Sequence, residues 1–360
     1  MIRVLHIVGR LNRGGIETLL MNIYRNLDRE EIQFDFLIQS EQKGAYEDEI
    51  RSLGGRIYRI PAKRRNLLKN MAGTIQVVKD KQYQIVHRHS AFPSMWLDLL
   101  LARIGGAKVC IAHSHNVEPE KWYYGIWREC LNKVSDIRFA CAIEAGKFMY
   151  GRKQFDIVKN AIILEHYQYN ESSREEMREI YKLKNKKVIG HIGRFGVSKN
   201  HKFLLDIFED ICKSSDDYRL VLIGIDENEQ FFKTYIKEKK MEGKIIVLPP
   251  QEDVGKYYQM MDIFVFPSIN EGLGMVLIEA QVSGLRCLVS EAIPPEAFVT
   301  SRIESMNLSE GVSRWADRIQ SYQDLYDRSD HDVEIESYGY SAKKAAKELE
   351  NIYKGSLEKR

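Results

Sequence analysis

The 360-residue chain is 44% apolar and 29% charged with a net charge of +3, which describes a folded globular protein and gives no case for nucleic acid. Its length suits two domains of roughly 150 to 200 residues. Five scattered cysteines without a CxxC pair read as buried free thiols, and no segment reaches the roughly 18 consecutive apolar residues of a membrane-spanning helix.

In chain order, MIRVLHIVGR has too short an apolar part for a signal peptide and reads as a first strand; a cytoplasmic protein is expected. Apolar runs at 34–38, 85–87, 108–112 and 137–141 predict further strands. LLMNIYRNL from Leu19 and FPSMWLDLLLARI from Phe92 carry helical spacing between them. From Arg56 to Arg88 there are nine Lys or Arg against one acid, Asp80. Within that stretch LLKNMAGTIQVVKD predicts a helix with Leu67, Leu68, Met71, Ile75 and Val78 on one side. The bias fits either a core-facing helix beside a basic loop or a surface held near anionic lipid or an anionic acceptor.

The alternation repeats in the second half, with strands expected at 188–192, 219–223, 244–248, 263–266 and 286–289 and helices such as HKFLLDIFEDIC from His201. Short strands spaced by helices are the pattern of parallel sheets covered on both faces. The expected architecture is therefore α/β with two Rossmann-like domains. Residues 1–165 form the first, completed by a helix over 338–360, and 166–337 form the second. The hinge falls near Asn160 to Tyr167. Ligands of such sheets bind at the carboxyl ends of the strands, so two domains facing one another would share one cleft.

Three loops at strand ends carry candidate chemistry. GRLNRGGIET (9–18) offers glycines before a helix starting near Ile16, as a tight turn or as a backbone that approaches a bound group. Its spacing is not GxGxxG. In GHIGRFGVSKNH (190–201), Arg194 and Lys199 flank a helix start with Ser198 as its N-cap candidate. Cations there suit a multiply charged anion such as a diphosphate. In SINEGLGMVLIEA (268–280), Glu271 stands at a strand end before Gly272 and Gly274, and Glu279 lies in an apolar helix where a charge is costly to bury. Paired carboxylates match the vicinal hydroxyls of a ribose or hexose.

Metal signals are poor: the one DxD, Asp330-His331-Asp332, has no adjoining apolar strand. His87 and His89, and His113 and His115 in IAHSHN, could suggest zinc. Strand alternation instead points each pair one way, where an imidazole could meet a sugar hydroxyl.

GGIET, IAHSHN, GRFGVSKNH and FPSINEGLGMVLIEAQVSG together resemble the retaining group-1 glycosyltransferases of the GT-B fold, the set that includes bacterial capsule and exopolysaccharide transferases. The matching pieces run from residue 1 to about 290, and the tail from Ser337 resembles the closing segment whose helix crosses back to the first domain. The resemblance implies transfer of a hexose-type sugar from a nucleotide diphosphate sugar, a UDP-sugar, to a hydroxyl of a glycan or lipid-linked acceptor. It implies that Gly14 and Gly15 approach the donor phosphates or the acceptor, that Arg194 and Lys199 hold the diphosphate and that Glu279 holds the ribose. Glu271, beside Gly272 and Gly274, would contact the transferred sugar, and His113 or His115 would be the active-site histidine. No metal or other cofactor is implied, and peripheral contact with an anionic membrane at the inner face of the cell is compatible with the basic stretch. Two departures from the pattern are Pro294-Pro295 and Pro249-Pro250, which stand where glycines are usual and remove backbone donors. The alternatives are a nucleotide-sugar epimerase or phosphorylase on the same fold, and a non-catalytic nucleotide-sugar-binding component of a polysaccharide assembly.

Overall fold

The computed structural model describes residues 1–226, 229–251, 253–322, 327–328 and 338–358. The chain divides into two compact units, Met1–Ile163 with Gly339–Arg360, and Leu164–Tyr338. Unit 1 holds β1 (Ile2–Val8), β2 (Ile32–Ile38), β3 (Ile57–Arg59), β4 (Ile85–Ser90), β5 (Val109–Ser114), β6 (Ile137–Ala140) and β7 (Asp156–Ile157). They form one parallel sheet in the order β3-β2-β1-β4-β5-β6-β7. Unit 2 holds β8 (Lys187–Ile192), β9 (Tyr218–Ile223), β10 (Ile245–Leu248), β11 (Ile263–Phe266), β12 (Arg286–Ser290) and β13 (Ile303–Met306). Its parallel order is β10-β9-β8-β11-β12-β13. Each order reverses beside its first strand, at β1/β4 and at β8/β11, which is where open α/β sheets leave a crevice for ligands.

Both sheets are buried on both faces. In unit 1, Val4, Phe34, Phe36 and Ile85 face one core while Leu5, Ile7, Leu37 and Val86 face the other. That two-sided burial is why the strands read as continuous apolar runs. The sequence does not announce β3, β7 or β13, which are short and incompletely buried strands toward the sheet edges.

The Ala342–Glu358 helix packs within unit 1, burying Ala346, Leu349 and Tyr353. Full burial of a side chain such as Leu349 contributes about 1.5–3 kcal/mol. Glu350 accepts a 2.7 Å hydrogen bond from the Asp28 backbone N–H. Within the described residues no helix is long and apolar enough to cross a membrane.

Three local expectations are corrected. The Leu67–Asp80 helix buries Asn70, Thr74 and Val78, leaving Leu67 47% and Leu68 78% exposed. Asn70 donates to the Pro61 carbonyl at 2.7 Å and Thr74 to the Asn70 carbonyl at 3.0 Å, so polar side chains with partners take the inward stripe and turn the leucines out. Ser198 does not cap the following helix. It lies in a 3-10 turn, Val197–Lys199, and the helix His201–Ser214 starts after Asn200, whose φ of 54° is left-handed, a conformation Asn tolerates. All five cysteines are free, but only Cys110 and Cys287 are buried.

Candidate functional site

In unit 2 the loops after β8 and β11 meet. The Ile269 backbone N–H donates to the Ser198 carbonyl at 2.8 Å, tying SINEGLG to GRFGVSK. Lys199 then forms an ion pair with Glu271, and each side chain is less than one-fifth exposed. The ammonium also lies 4.6 Å from the centroid of Phe266, over its ring face, a favourable cation–π position. Gly193 leaves room for this: a Cβ there would sit 3.4 Å from the Lys199 stem. A largely desolvated pair of this kind strongly resists loss of one partner, because the other charge is stranded. Arg194 is exposed and, among the described residues, has no ion-pair partner.

Gly274 has φ +72° and precedes the Met275–Val282 helix, which has no side-chain cap. The positive φ explains this glycine, and the uncapped start leaves backbone N–H groups available to an anion. A Cβ at Gly272 would meet nothing within 4 Å, so the turn itself does not demand that residue. Glu279 is half-buried and accepts a 2.8 Å hydrogen bond from Tyr258 Oη. Burial pushes its carboxyl pKa up, against the lowering effect of Tyr258 and Tyr167. The Val276 carbonyl also lies 2.9 Å from Tyr258 Oη and competes with Glu279 for its one proton. Nothing local in the sequence could reveal this partner, 21 positions away.

In unit 1 the Gly15–Asn26 helix likewise starts without a side-chain cap after Gly14. The space a Cβ of Gly14 would take is filled by the Glu17 carboxylate, whereas Gly15 has open space. Burial raises the Glu17 pKa. An acid therefore lies over this helix start.

The histidines make a larger array than the two strand pairs expected. Ile85, His87 and His89 run up β4 on one face; Ile111 and His113 do the same along β5, and His115 follows one residue past its end. His6 joins them from β1, in register with His87, while His89 pairs with His113. The signal for His6 was present in its alternation with Val4 and Val8. His6, His87, His89 and His113 are buried, and only His115 is half-buried. His87 Nδ1 contacts Tyr353 Oη at 2.8 Å. Neither ring nitrogen of His113 completes a hydrogen bond, although the Val158 backbone lies near enough to raise its proton affinity slightly. Of the two candidates in IAHSHN, His115 is the partly exposed one and His113 the buried one with both ring nitrogens unpaired.

Desolvation drives the pKa of His6 and of His115 down to about 3 and those of His87, His89 and His113 well below the usual 6.5, with the neighbouring imidazoles and Arg88 adding to the effect. His6, His87 and His89, and His89, His113 and His115, are the two sets of three among the described residues whose ligand atoms lie within 4.8 Å of one another. Asp330-His331-Asp332 lies outside the described residues.

The basic stretch is partly neutralised by acids from elsewhere. Arg59 pairs with Glu47, Lys63 and Arg88 with Asp98, and Arg65 with Glu41. Exposed apolar side chains lie in the segments that follow the unit 1 strands. Leu67 and Leu68 follow β3, Phe92 follows β4, Val117, Trp122 and Ile126 follow β5, and Ile143 follows β6; Trp122 is 89% exposed.

Two parallel-sheet α/β units of this strand order define the GT-B class of fold. Residues 173–322 match the family described as Glycosyl transferases group 1, and residues 13–141 match Glycosyltransferase Family 4. EpsF of Bacillus subtilis, a glycosyltransferase by name, is 31% identical over 99% of this chain and 97% of its own. The capsular polysaccharide biosynthesis glycosyltransferase CapH of Staphylococcus aureus is 27% identical over 98% and 99%. The Anabaena protein HepE, solved in complex with UDP, is 14% identical and covers 99% of this chain and 100% of its own with a TM-score of 0.75. The chain belongs to the group-1 glycosyltransferases of the GT-B fold, related to the enzymes of bacterial capsule and exopolysaccharide synthesis.

Proposed function

We propose that the protein is a retaining glycosyltransferase that moves a hexose-type sugar from a UDP-sugar to a hydroxyl of a glycan or lipid-linked acceptor in polysaccharide synthesis. The observation that carries this reading is the Lys199–Glu271 pair beside an uncapped helix start. It supplies a cation for the diphosphate and an acid for sugar hydroxyls within one loop assembly.

Departure of the nucleotide builds negative charge on the diphosphate. Lys199, Arg194 and the free N–H groups at Met275 would stabilise that charge more strongly in the transition state than in the ground state. Lys199 would exchange part of its bond to Glu271 for phosphate oxygen, freeing the carboxylate for the sugar. Glu279 would accept from the ribose, with Tyr258 fixing its rotamer. Gly14 and Gly15 would contribute backbone N–H groups once Glu17 turns aside, and His115 would meet a sugar hydroxyl. The diphosphate is matched by fixed cations, so this scheme asks no metal ion of the donor site. Retention follows if the acceptor attacks from the face the diphosphate leaves, for which Glu271 is a sugar ligand and not a nucleophile.

The apolar rim of unit 1, interleaved with Arg64, Lys69 and Lys121, supports peripheral contact with an anionic bilayer at the inner face of the cell membrane. Such contact would bring the protein to a lipid-linked acceptor. Nucleotide sugars are screened by calorimetry, and product is then assayed with lipid-diphosphate oligosaccharides. Release of nucleoside diphosphate only with acceptor present is the expected result. An isomerised donor without acceptor, or binding with no release for any acceptor, would refute transfer. Co-sedimentation with anionic vesicles that salt does not weaken would refute the electrostatic part of the membrane reading.

A further inference from the structure

Three of the five histidines in unit 1 form a line. His6 Nδ1 lies 3.0 Å from His89 Nε2, and His89 Nδ1 lies 2.9 Å from His115 Nε2. In both pairs the ring centroids are 5.2 Å apart, with interplanar angles of 24° and 34°. That spacing is the nitrogen–nitrogen distance plus one ring radius at each end. Each contact therefore points along the axis joining the rings, as a good N–H···N bond requires.

A neutral imidazole has one donor and one acceptor nitrogen, so the three rings act as one unit with two proton arrangements. In one, every ring carries its proton on Nε2 and His115 Nδ1 remains an acceptor. In the other, every proton sits on Nδ1 and His115 Nδ1 becomes a donor. The Nε2–H form is the intrinsically preferred neutral tautomer of histidine, and the first arrangement uses it three times.

We propose that His6 and His89 are positioning residues that hold His115 in its Nε2–H tautomer, so that Nδ1 of His115 accepts a hydrogen bond from a sugar hydroxyl of the substrate. The hydroxyl's part rests on the transferase reading; the tautomer does not. The surroundings keep the line uncharged. Phe34, Phe36 and His87 pack around His6, His113 lies beside His115 with ring centroids 4.0 Å apart, and Arg88 is the nearby charge. Burial opposes protonation at all three positions. His115 thus orients the hydroxyl without taking its proton.

A metal ion would break the line. Zn–N bonds of about 2.0–2.1 Å place tetrahedral nitrogens about 3.3 Å apart with converging lone pairs, whereas these nitrogens stand closer and point at one another.

The test is nitrogen-15 NMR of histidine-labelled full-length protein, reading the protonated nitrogen of each ring between about pH 5 and 8. The expected spectrum shows Nε2–H at His6, His89 and His115, unchanged by EDTA. His6→Phe keeps the ring shape but removes the terminal acceptor. It should move His115 toward a mixture of tautomers and lower kcat about three- to tenfold, the worth of one neutral hydrogen bond, with KM for the nucleotide sugar unchanged. His6→Asn, which restores an acceptor oxygen, should recover both. An Nδ1–H His115, a doubly protonated His115 at neutral pH, or EDTA-sensitive shifts in wild type overturns the proposal. So does a His6→Phe protein that loses stability alone while His115 keeps its tautomer. Should His6→Phe not fold, the wild-type spectrum decides. If the spectrum is as expected but no donor and acceptor pair yields transfer, the transferase reading fails and the tautomer line stands.

Discussion

The two sheets share a strand order and differ in what they place beyond their strands. Unit 1 ends in imidazoles kept neutral by burial; unit 2 ends in a cation and an acid held against each other. Neutral rings can give or take hydrogen bonds with hydroxyls at little cost, but they cannot balance a diphosphate. The Lys199 ammonium carries a charge that can, provided hydroxyl donors take its place at the Glu271 carboxylate, since a desolvated carboxylate left without a partner is costly. One strand order therefore carries two different kinds of polar chemistry at its strand ends.

The largest break in this contrast is removal of the cation. Lys199→Ala should lower kcat by about 10²- to 10³-fold, in the range seen when a preorganised transition-state stabiliser is lost. It should also weaken nucleotide affinity, measured by calorimetry. Glu271→Gln comes next. It keeps hydrogen-bonding capacity but loses the charge, and turnover should fall about 10- to 10²-fold while affinity for the free nucleotide changes much less. Equal losses in both measurements would remove Glu271 from the sugar. Smaller still is Gly274→Ala, which forces a Cβ onto φ +72° and to 3.3 Å from Phe266 and the Glu271 stem. It should cost about 1–2 kcal/mol of stability in denaturant unfolding. Gly272→Ala, with open space around it, should leave stability unchanged.

The sequence made the alternation of strands and helices legible because fully buried parallel strands are uninterrupted apolar runs. It also placed Lys199 and Glu271 at strand ends and Glu279 in the helix that follows, since glycines and acids at strand ends are local signals. What it could not show was pairing across distance. Lys199 and Glu271 are 72 positions apart, and their contact depends on the backbone bond from Ile269 to Ser198. His6 carried a local signal in its alternation with Val4 and Val8, but its membership of an array shows only when β1 and β4 lie side by side. The inward turn of Asn70 and Thr74 went unread because hydropathy does not count the hydrogen bonds that let polar side chains be buried.

The smallest expected effect concerns Glu279, whose carboxyl lies in the helix beside the buried Leu277, Ile278 and Ala280. Burial raises its pKa, while Tyr258 and Tyr167 act to lower it, and burial prevails. Its ionised form is the one that accepts two hydroxyl donors, so on the proposed role protonation would weaken binding of the ribose. Acidification should therefore reduce nucleotide affinity beginning above the usual value of 4.5 for this carboxyl, by about three- to tenfold, the loss expected for one hydrogen bond. Glu279→Gln should bind more weakly at neutral pH and lose this acid limb. The sign for folding is opposite: a carboxyl whose folded pKa is raised disfavours the native state at high pH, and its protonation on acidification relieves that penalty. Parallel calorimetry and thermal melts across the same pH series separate the effects, because affinity should fall on the acid side while the Glu279 contribution to stability rises. If both move together, the carboxylate does not touch the nucleotide.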